Sequence, residues 1–150
     1  MGMKKLASML GAAMVLAAAG GVAIAGPASA APVSVQSVGT CTTSKVVTAK
    51  NNPTDMYKVS VPTTAAGNRD CRLEQGNVSD AVSTLQSALR SKTCGVSSTI
   101  AADGQFGPAT KAALIQMQKK LGIGADGIYG TQTANAMIWV QFPGGCSQAK

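Results

Sequence analysis

Eight residues, DGQFGPAT at 103–110, return as DGIYGTQT at 126–133. At a 23-residue offset Asp103 matches Asp126, Gly104 matches Gly127, Phe106 matches Tyr129, Gly107 matches Gly130 and Thr110 matches Thr133. Ala113 matches Ala136 as well, so the likeness runs on into the segment after each loop. Each position has a mechanical use. Asp followed by Gly is a turn pair, in which the carboxylate accepts backbone N–H groups while Gly takes a positive φ. Phe106 and Tyr129 are apolar plugs that tuck under the loop, Tyr129 with its hydroxyl toward water. Gly107 and Gly130 stand where a helix begins, and Thr110 and Thr133 follow three residues on, where a hydroxyl can bond back to the loop. Asp103, Gly104, Phe106, Gly107, Thr110, Asp126, Gly127, Gly130 and Thr133 are therefore expected to form scaffold.

The segments around the loops read as helices. SDAVSTLQSALRS, from Ser79, places Val82, Leu85 and Leu89 on one stripe, joined by Val78 just before it. Ser79 is a good N-cap, and Asp80 puts negative charge in the first turn, where the helix dipole favours it. A second helix is expected from Pro108, whose fixed φ suits the first helical position, to Leu121. Ala113, Leu114, Met117 and Leu121 face inward, Gly122 ends the helix, and Ile123 folds back on its last turn as in a Schellman motif. A short third helix, TQTANAMIW, would bury Ala134, Met137 and Ile138. Upstream, KVVTAK and MYKVSVP flank the turn signal NNPTD, and Tyr57, Val59 and Val61 alternate with Met56, Lys58 and Ser60, which predicts a β-hairpin over 45–61. PTTAAGNRD then reads as a linker. The expected fold is mainly α: a three-helix bundle with duplicated Asp-Gly loops, preceded by a small β-hairpin segment and linked by disulfides.

The chain of 150 residues has room for one domain and a decoration. Its first 30 residues, with MGMKK, a long uncharged apolar stretch and PASAAP, carry the marks of a signal peptide cleaved after Ala30. The competing reading is a retained anchor, because the apolar stretch approaches the roughly 20 residues that span a bilayer. Alanine richness, the Gly20-Gly21 break and the A-S-A ending favour the signal. The division is then a signal peptide at 1–30, an extended or hairpin segment with linker at 31–70, the helical domain at 71–140 and a tail at 141–150. Without Lys4 and Lys5 the remainder holds 11 Lys and Arg against six Asp and Glu, a net charge of +5. That charge is either simple solvation or attraction to an anionic partner, supplied by Arg90, Lys92, Lys111, Lys119 and Lys120.

Cys41, Cys71, Cys94 and Cys146 all lie after the signal, and an even count in an exported chain reads as two disulfides. Four cysteines permit three pairings. If residues 71–76 run extended and antiparallel to the first helix, they cover about 20 Å, close to the rise of that helix. Cys71 then returns to Cys94, and Cys41–Cys146 ties the hairpin region to the tail.

The ordered elements RLEQGNVSDAVSTLQSALRS and AADGQFGPATKAALIQMQKKLGIGADGIYGTQTANAM resemble the peptidoglycan-binding domain of bacterial cell-wall enzymes and secreted wall proteins. The shared pattern is a Leu and Gly, a V-x-x-L-Q helix, D-G-x-F-G-x-x-T, a Gln-bearing helix ending in Gly, and a second D-G-x-x-G-x-x-T. It covers roughly residues 72–139. Met117 stands where that family often has Phe, and SKTCGVSSTIA lengthens the connection after the first helix. The resemblance implies a three-helix module that holds peptidoglycan without a covalent bond.

No enzyme activity is expected. The sequence has no histidine, which removes the usual zinc hydrolase ligands and any nucleophile–histidine pair. Glycoside cleavage needs two carboxyl groups, one with a raised pKa, from among Asp55, Asp70, Glu74, Asp80, Asp103 and Asp126. Asp103 and Asp126 each sit in a turn whose N–H groups depress the pKa, the wrong direction for a general acid. No metal or cofactor is expected, and an exported chain with five aromatic residues and no basic stripe does not suit nucleic acid. The expected partner is peptidoglycan or another cell-wall polymer, with a secreted protein as the rival, no membrane after signal removal, and a secreted or cell-wall location. Gln105, Tyr129, Thr131 and Gln132 are the expected exposed contacts. Trp139 either stacks on a sugar face or lids the core beside Phe142 and Pro143, the lid being the more usual role of a lone Trp at a helix end.

Overall fold

Ser79 begins the first helix as the sequence requires. Its backbone is extended and its Oγ accepts the Val82 N–H at 3.4 Å, capping α1 (Asp80–Arg90). The computed structural model describes residues 38–50 and 55–150, all within the compact unit Val35–Lys150. The expected signal peptide and its cleavage point, and most of the NNPTD turn, lie outside the described residues.

The second helix, α2 (Pro108–Leu121), has Pro at its start and Gly122 in the left-handed conformation (φ 70°) at its end. The Gly122 N–H donates to the Lys119 carbonyl and the Ile123 N–H to the Gln118 carbonyl, both at 3.1 Å, which is the Schellman pairing. Lys119 and Lys120 occupy the last turn, where the helix dipole favours cations. The third helix, α3 (Thr131–Ala136), is shorter than expected. Met137 and Ile138 lie beyond it, and Trp139 belongs to a strand.

The strands change the architecture. β1 (Thr43–Thr48) and β2 (Lys58–Thr63) form the expected hairpin, with Val47 opposite Val59 and Val46 opposite Ser60. β3 (Trp139–Phe142) adds antiparallel to β2 through Lys58↔Phe142 and Val59↔Gln141, and β4 (Cys146–Ser147) returns along β3. The sheet order is β1-β2-β3-β4. Pro62, which has no N–H, sits beyond the stretch of β2 that β3 covers, so no hydrogen bond to β3 is lost. The fold is three helices on a four-stranded antiparallel sheet, and the mainly-α bundle with a C-terminal tail at 141–150 is corrected accordingly.

The reason is burial. Val59 and Val61 on β2 and Trp139 on β3 close one core with Val82, Leu85 and Leu89 of α1, and α1 packs against both β2 and α2. An isolated hairpin is marginal in water, and this one gains a third strand and a helix to cover its apolar face. Val78 does not join the α1 stripe; it is exposed, because the chain before Ser79 turns away to pair with Gln105.

The disulfides also differ from expectation. They join Cys41 to Cys71 and Cys94 to Cys146, with Cα separations of 5.1 and 5.5 Å. Residues 71–76 do not run back along α1. The Cys41 N–H donates to the Arg72 carbonyl at 3.0 Å and the Arg72 N–H to the Gly39 carbonyl at 2.9 Å, a parallel bridge that sets Cys41 beside Cys71. Cys94, past the end of α1, instead meets the β3–β4 hairpin.

Candidate functional site

Both Asp-Gly loops are held from below by a buried glutamine. Gln86 of α1 donates through Nε2 to Asp103 Oδ1 (3.0 Å), the Gln105 carbonyl (2.9 Å) and Thr110 Oγ1 (3.1 Å), while its Oε1 accepts the Gly104 N–H (2.9 Å). Gln118 of α2 does the same in the second loop. Its Nε2 donates to Asp126 Oδ1 (2.8 Å), the Ile128 carbonyl (3.0 Å) and Thr133 Oγ1 (3.1 Å), and its Oε1 accepts the Gly127 N–H (2.8 Å). A buried amide left unpaired is costly, and here both ends of each amide are satisfied within one turn of chain.

The aspartates complete the loops. Asp103 Oδ1 accepts the Gln105 N–H and Asp126 Oδ1 the Ile128 N–H, each at 2.9 Å. The Gln105 N–H, then the Gln86 amide, hold the exposed Asp103 carboxyl below the ordinary carboxylate range. At Asp126 the largest single influence, burial, raises the pKa. The Ile128 N–H, the Gln118 amide and the charge of Arg72 together outweigh it, and the net shift is downward. These carboxylates are fixed acceptors within the loops. Thr110 and Thr133 hydroxyls reach back to the Gln105 and Ile128 carbonyls at 3.5 and 3.3 Å, also as expected.

One strand-like segment joins the two loops. The Ser79 N–H donates to the Gly104 carbonyl and the Phe106 N–H to the Asn77 carbonyl, while Leu73 and Tyr129 exchange both backbone hydrogen bonds at 2.9 Å. The repeats are thereby fixed relative to each other through residues 73–79.

Of the expected contacts, Gln105, Thr131 and Gln132 are exposed. Tyr129 is not: it is 1% exposed and meets Trp139 edge-on with ring centroids 6.2 Å apart. Burial drives its hydroxyl pKa strongly upward, against a small opposing pull from Arg69. Tyr129 is a core plug like Phe106, because its backbone bridge to Leu73 turns the ring inward. Trp139 is likewise the lid on the core, at 1% exposure. Among the proposed cations, Lys120 donates to the Gly95 carbonyl at 2.7 Å and Lys111 lies over Gly127, where a Cβ would stand 2.8 Å from its Cγ.

Gln86 and Gln118 carry the site, and the reading of the sequence assigned them no role. The available signal was an apolar residue followed by Gln, Leu85-Gln86 and Met117-Gln118, ahead of each D-G-x-x-G-x-x-T. A second feature is equally quiet. Gly107 and Gly130, the N-caps of α2 and α3, have negative φ, and a Cβ at either would meet nothing within 4 Å. Neither backbone strain nor packing accounts for glycine there.

A helical module with two amide-pinned Asp-Gly loops is the class these elements define. Residues 78–137 match the family described as "Putative peptidoglycan binding domain". The chain is 42% identical over 69 residues to a zinc D-Ala-D-Ala carboxypeptidase of Streptomyces albus G, a match that spans 46% of this chain and 27% of that protein. Among solved structures, it is similar to a peptidoglycan-binding protein from Clostridioides difficile in complex with glutamine hydroxamate. Identity there is 24% and the TM-score 0.41, over 58% of this chain and 53% of the other.

Proposed function

We propose that this protein is exported and binds bacterial cell-wall peptidoglycan without cutting it. The observation that carries the reading is the pair of rigid loops in a segment that matches the peptidoglycan-binding family, with Gln105, Thr131 and Gln132 exposed on them. Loops already fixed by Gln86 and Gln118 lose little conformational freedom on binding. Gly107 and Gly130 leave the backbone bare beside those side chains, and glycine suits a place where a ligand approaches the main chain. Two disulfides suit an oxidising compartment. Among the described residues no helix is long and apolar enough to cross a membrane.

A non-catalytic role rests on the sequence and the loops. There is no histidine, and Asp103 and Asp126 are already engaged as acceptors with lowered pKa values. The relative named for D-Ala-D-Ala carboxypeptidase activity shares with this chain only 27% of its length, so targeting a separate hydrolase to the wall is the second form of this reading. The rival is a secreted module that binds a protein partner. Cosedimentation with purified sacculi tests the proposal: the protein pellets with the wall at low and moderate salt. Protein that stays wholly in the supernatant, or that releases reducing ends unaided, overturns it. A single stoichiometric partner in a pull-down, with wall binding lost at modest salt, favours the rival.

A further inference from the structure

Away from the loops, a groove of about 430 Å³ runs between α1 and the sheet, a size suited to a small ligand. Ser83, Thr84 and Ser87 of α1 form one side, and Ser60 of β2 with Trp139 and Val140 of β3 form the other. A second hollow shares Ser87 and Val140 with it and leads on to Arg90 and Ser91. Ser60, Trp139 and Val140 lie outside residues 78–137, so this groove exists only because the sheet closes on the helical domain.

Its chemistry is specific. The Ser83 hydroxyl donates to the Ala102 carbonyl at 3.5 Å and the Ser87 hydroxyl to the Ser83 carbonyl at 2.9 Å, so both leave oxygen lone pairs for a ligand. The Thr84 hydroxyl has no hydrogen-bond partner among the described residues. The Trp139 indole N–H is buried and has no acceptor. Val140 and Ala88 add an apolar wall. The three α1 hydroxyls, of Ser83, Thr84 and Ser87, beside an apolar wall suit a sugar ring, which offers hydroxyls at its edge and C–H groups on its face. Among the described residues the one ion pair is Arg72–Glu74, so Arg90 at the open end carries a charge with no carboxylate beside it. A guanidinium binds a carboxylate well.

We propose that the groove between α1 and β3 is a saccharide site that takes a carboxylate-bearing amino sugar, its ring among the Ser83, Thr84 and Ser87 hydroxyls and its acid on Arg90. The choice of a wall sugar rests on the function proposed above; the groove itself does not.

Trp139 is the chain's one tryptophan, so its indole N–H gives a single resonance that reports on the groove. The test is a titration of ¹⁵N-labelled protein with N-acetylglucosaminyl-N-acetylmuramic acid, and with N,N′-diacetylchitobiose, which lacks the carboxylate. The expected result is saturable movement of the Trp139 indole and the Ser83 and Ser87 amides. Arg90→Gln weakens the acidic disaccharide about tenfold and leaves chitobiose unchanged. Ser87→Phe, at an exposed position, fills the groove and removes the Trp139 and Ser83 shifts. No movement of these resonances at millimolar sugar, or movement confined to residues 103–107 and 130–132, overturns the site. If the unshifted protein still pellets with sacculi, the wall-binding reading stands without the groove; if it does not pellet, both fall.

Discussion

The Gln118 side-chain amide holds Asp126 at 2.8 Å, and the same amide group reaches Ile128, Thr133 and Gly127. One buried side chain therefore sets the geometry of the second loop, as Gln86 does for the first.

Gln118→Leu keeps the side chain's bulk but strands the Gly127 N–H and leaves the Ile128 carbonyl only the Thr133 hydroxyl. It should cost about 3 kcal/mol of folding stability, measured by urea denaturation. Gln118→Glu should be as harmful at neutral pH, because it sets a carboxylate against Asp126, and should recover in part as the pH falls and the pair takes up a proton.

Asp103 and Asp126 titrate below their ordinary 3.8 in the folded chain. A group with a depressed folded pKa binds fewer protons in the native state than in the unfolded one. Its contribution is complete above the unfolded pKa and is lost as pH falls through the folded pKa. Urea midpoints should hold from neutral to about pH 5 and fall below about pH 4. An Asp103→Asn, Asp126→Asn double variant should show a shallower decline from a lower plateau.

Gly104 and Gly122 both have positive φ, at 76° and 70°, but only Gly104 is crowded. A Cβ there would lie 3.1 Å from the Ser79 carbonyl oxygen, a backbone atom at the start of α1, while one at Gly122 would meet open space. Gly104→Ala should cost about 2 to 3 kcal/mol and Gly122→Ala about 1 kcal/mol, compared by chemical denaturation.

Non-reducing peptide mapping should recover Cys41–Cys71 and Cys94–Cys146 peptides. Cys41 and Cys71 are fully buried whereas Cys146 is exposed, so mild reduction followed by alkylation should label Cys94 and Cys146 first. Replacing Cys41 and Cys71 by Ser opens a bridge spanning 30 residues and should cost about 3.5 kcal/mol.

Gly107→Ser and Gly130→Ser place a good N-cap where a side chain meets no obstacle. Stability should stay within about 0.5 kcal/mol of the parent. Sacculus binding should drop if the bare backbone there faces the wall polymer, and Gln105→Ala with Gln132→Ala should lower it further. Unchanged cosedimentation in all of these variants would remove the loops from the binding surface.

The sequence by itself determined the local structure. The start of α1 follows from Ser79 and the end of α2 from Gly122 with Ile123, because capping and helix periodicity act over a few residues. The Asp-Gly loops were legible for the same reason: Asp103 and Asp126 each bind an N–H two residues on. Tertiary structure decided everything that depends on distant partners. TQTANAMIW has helical apolar spacing, yet the free edge of β2 at Lys58 and Val59 takes Trp139–Phe142 as a strand, since burying Trp139 over the core outweighs a weak local preference. Cys71 pairs with Cys41 because Thr40 and Arg72 bridge, and Tyr129 turns inward because Leu73 pairs with it. Gln86 and Gln118 showed as polar residues beside an apolar stripe. Their task emerged only when folding brought a loop, 17 residues on in one case and eight in the other, against each amide.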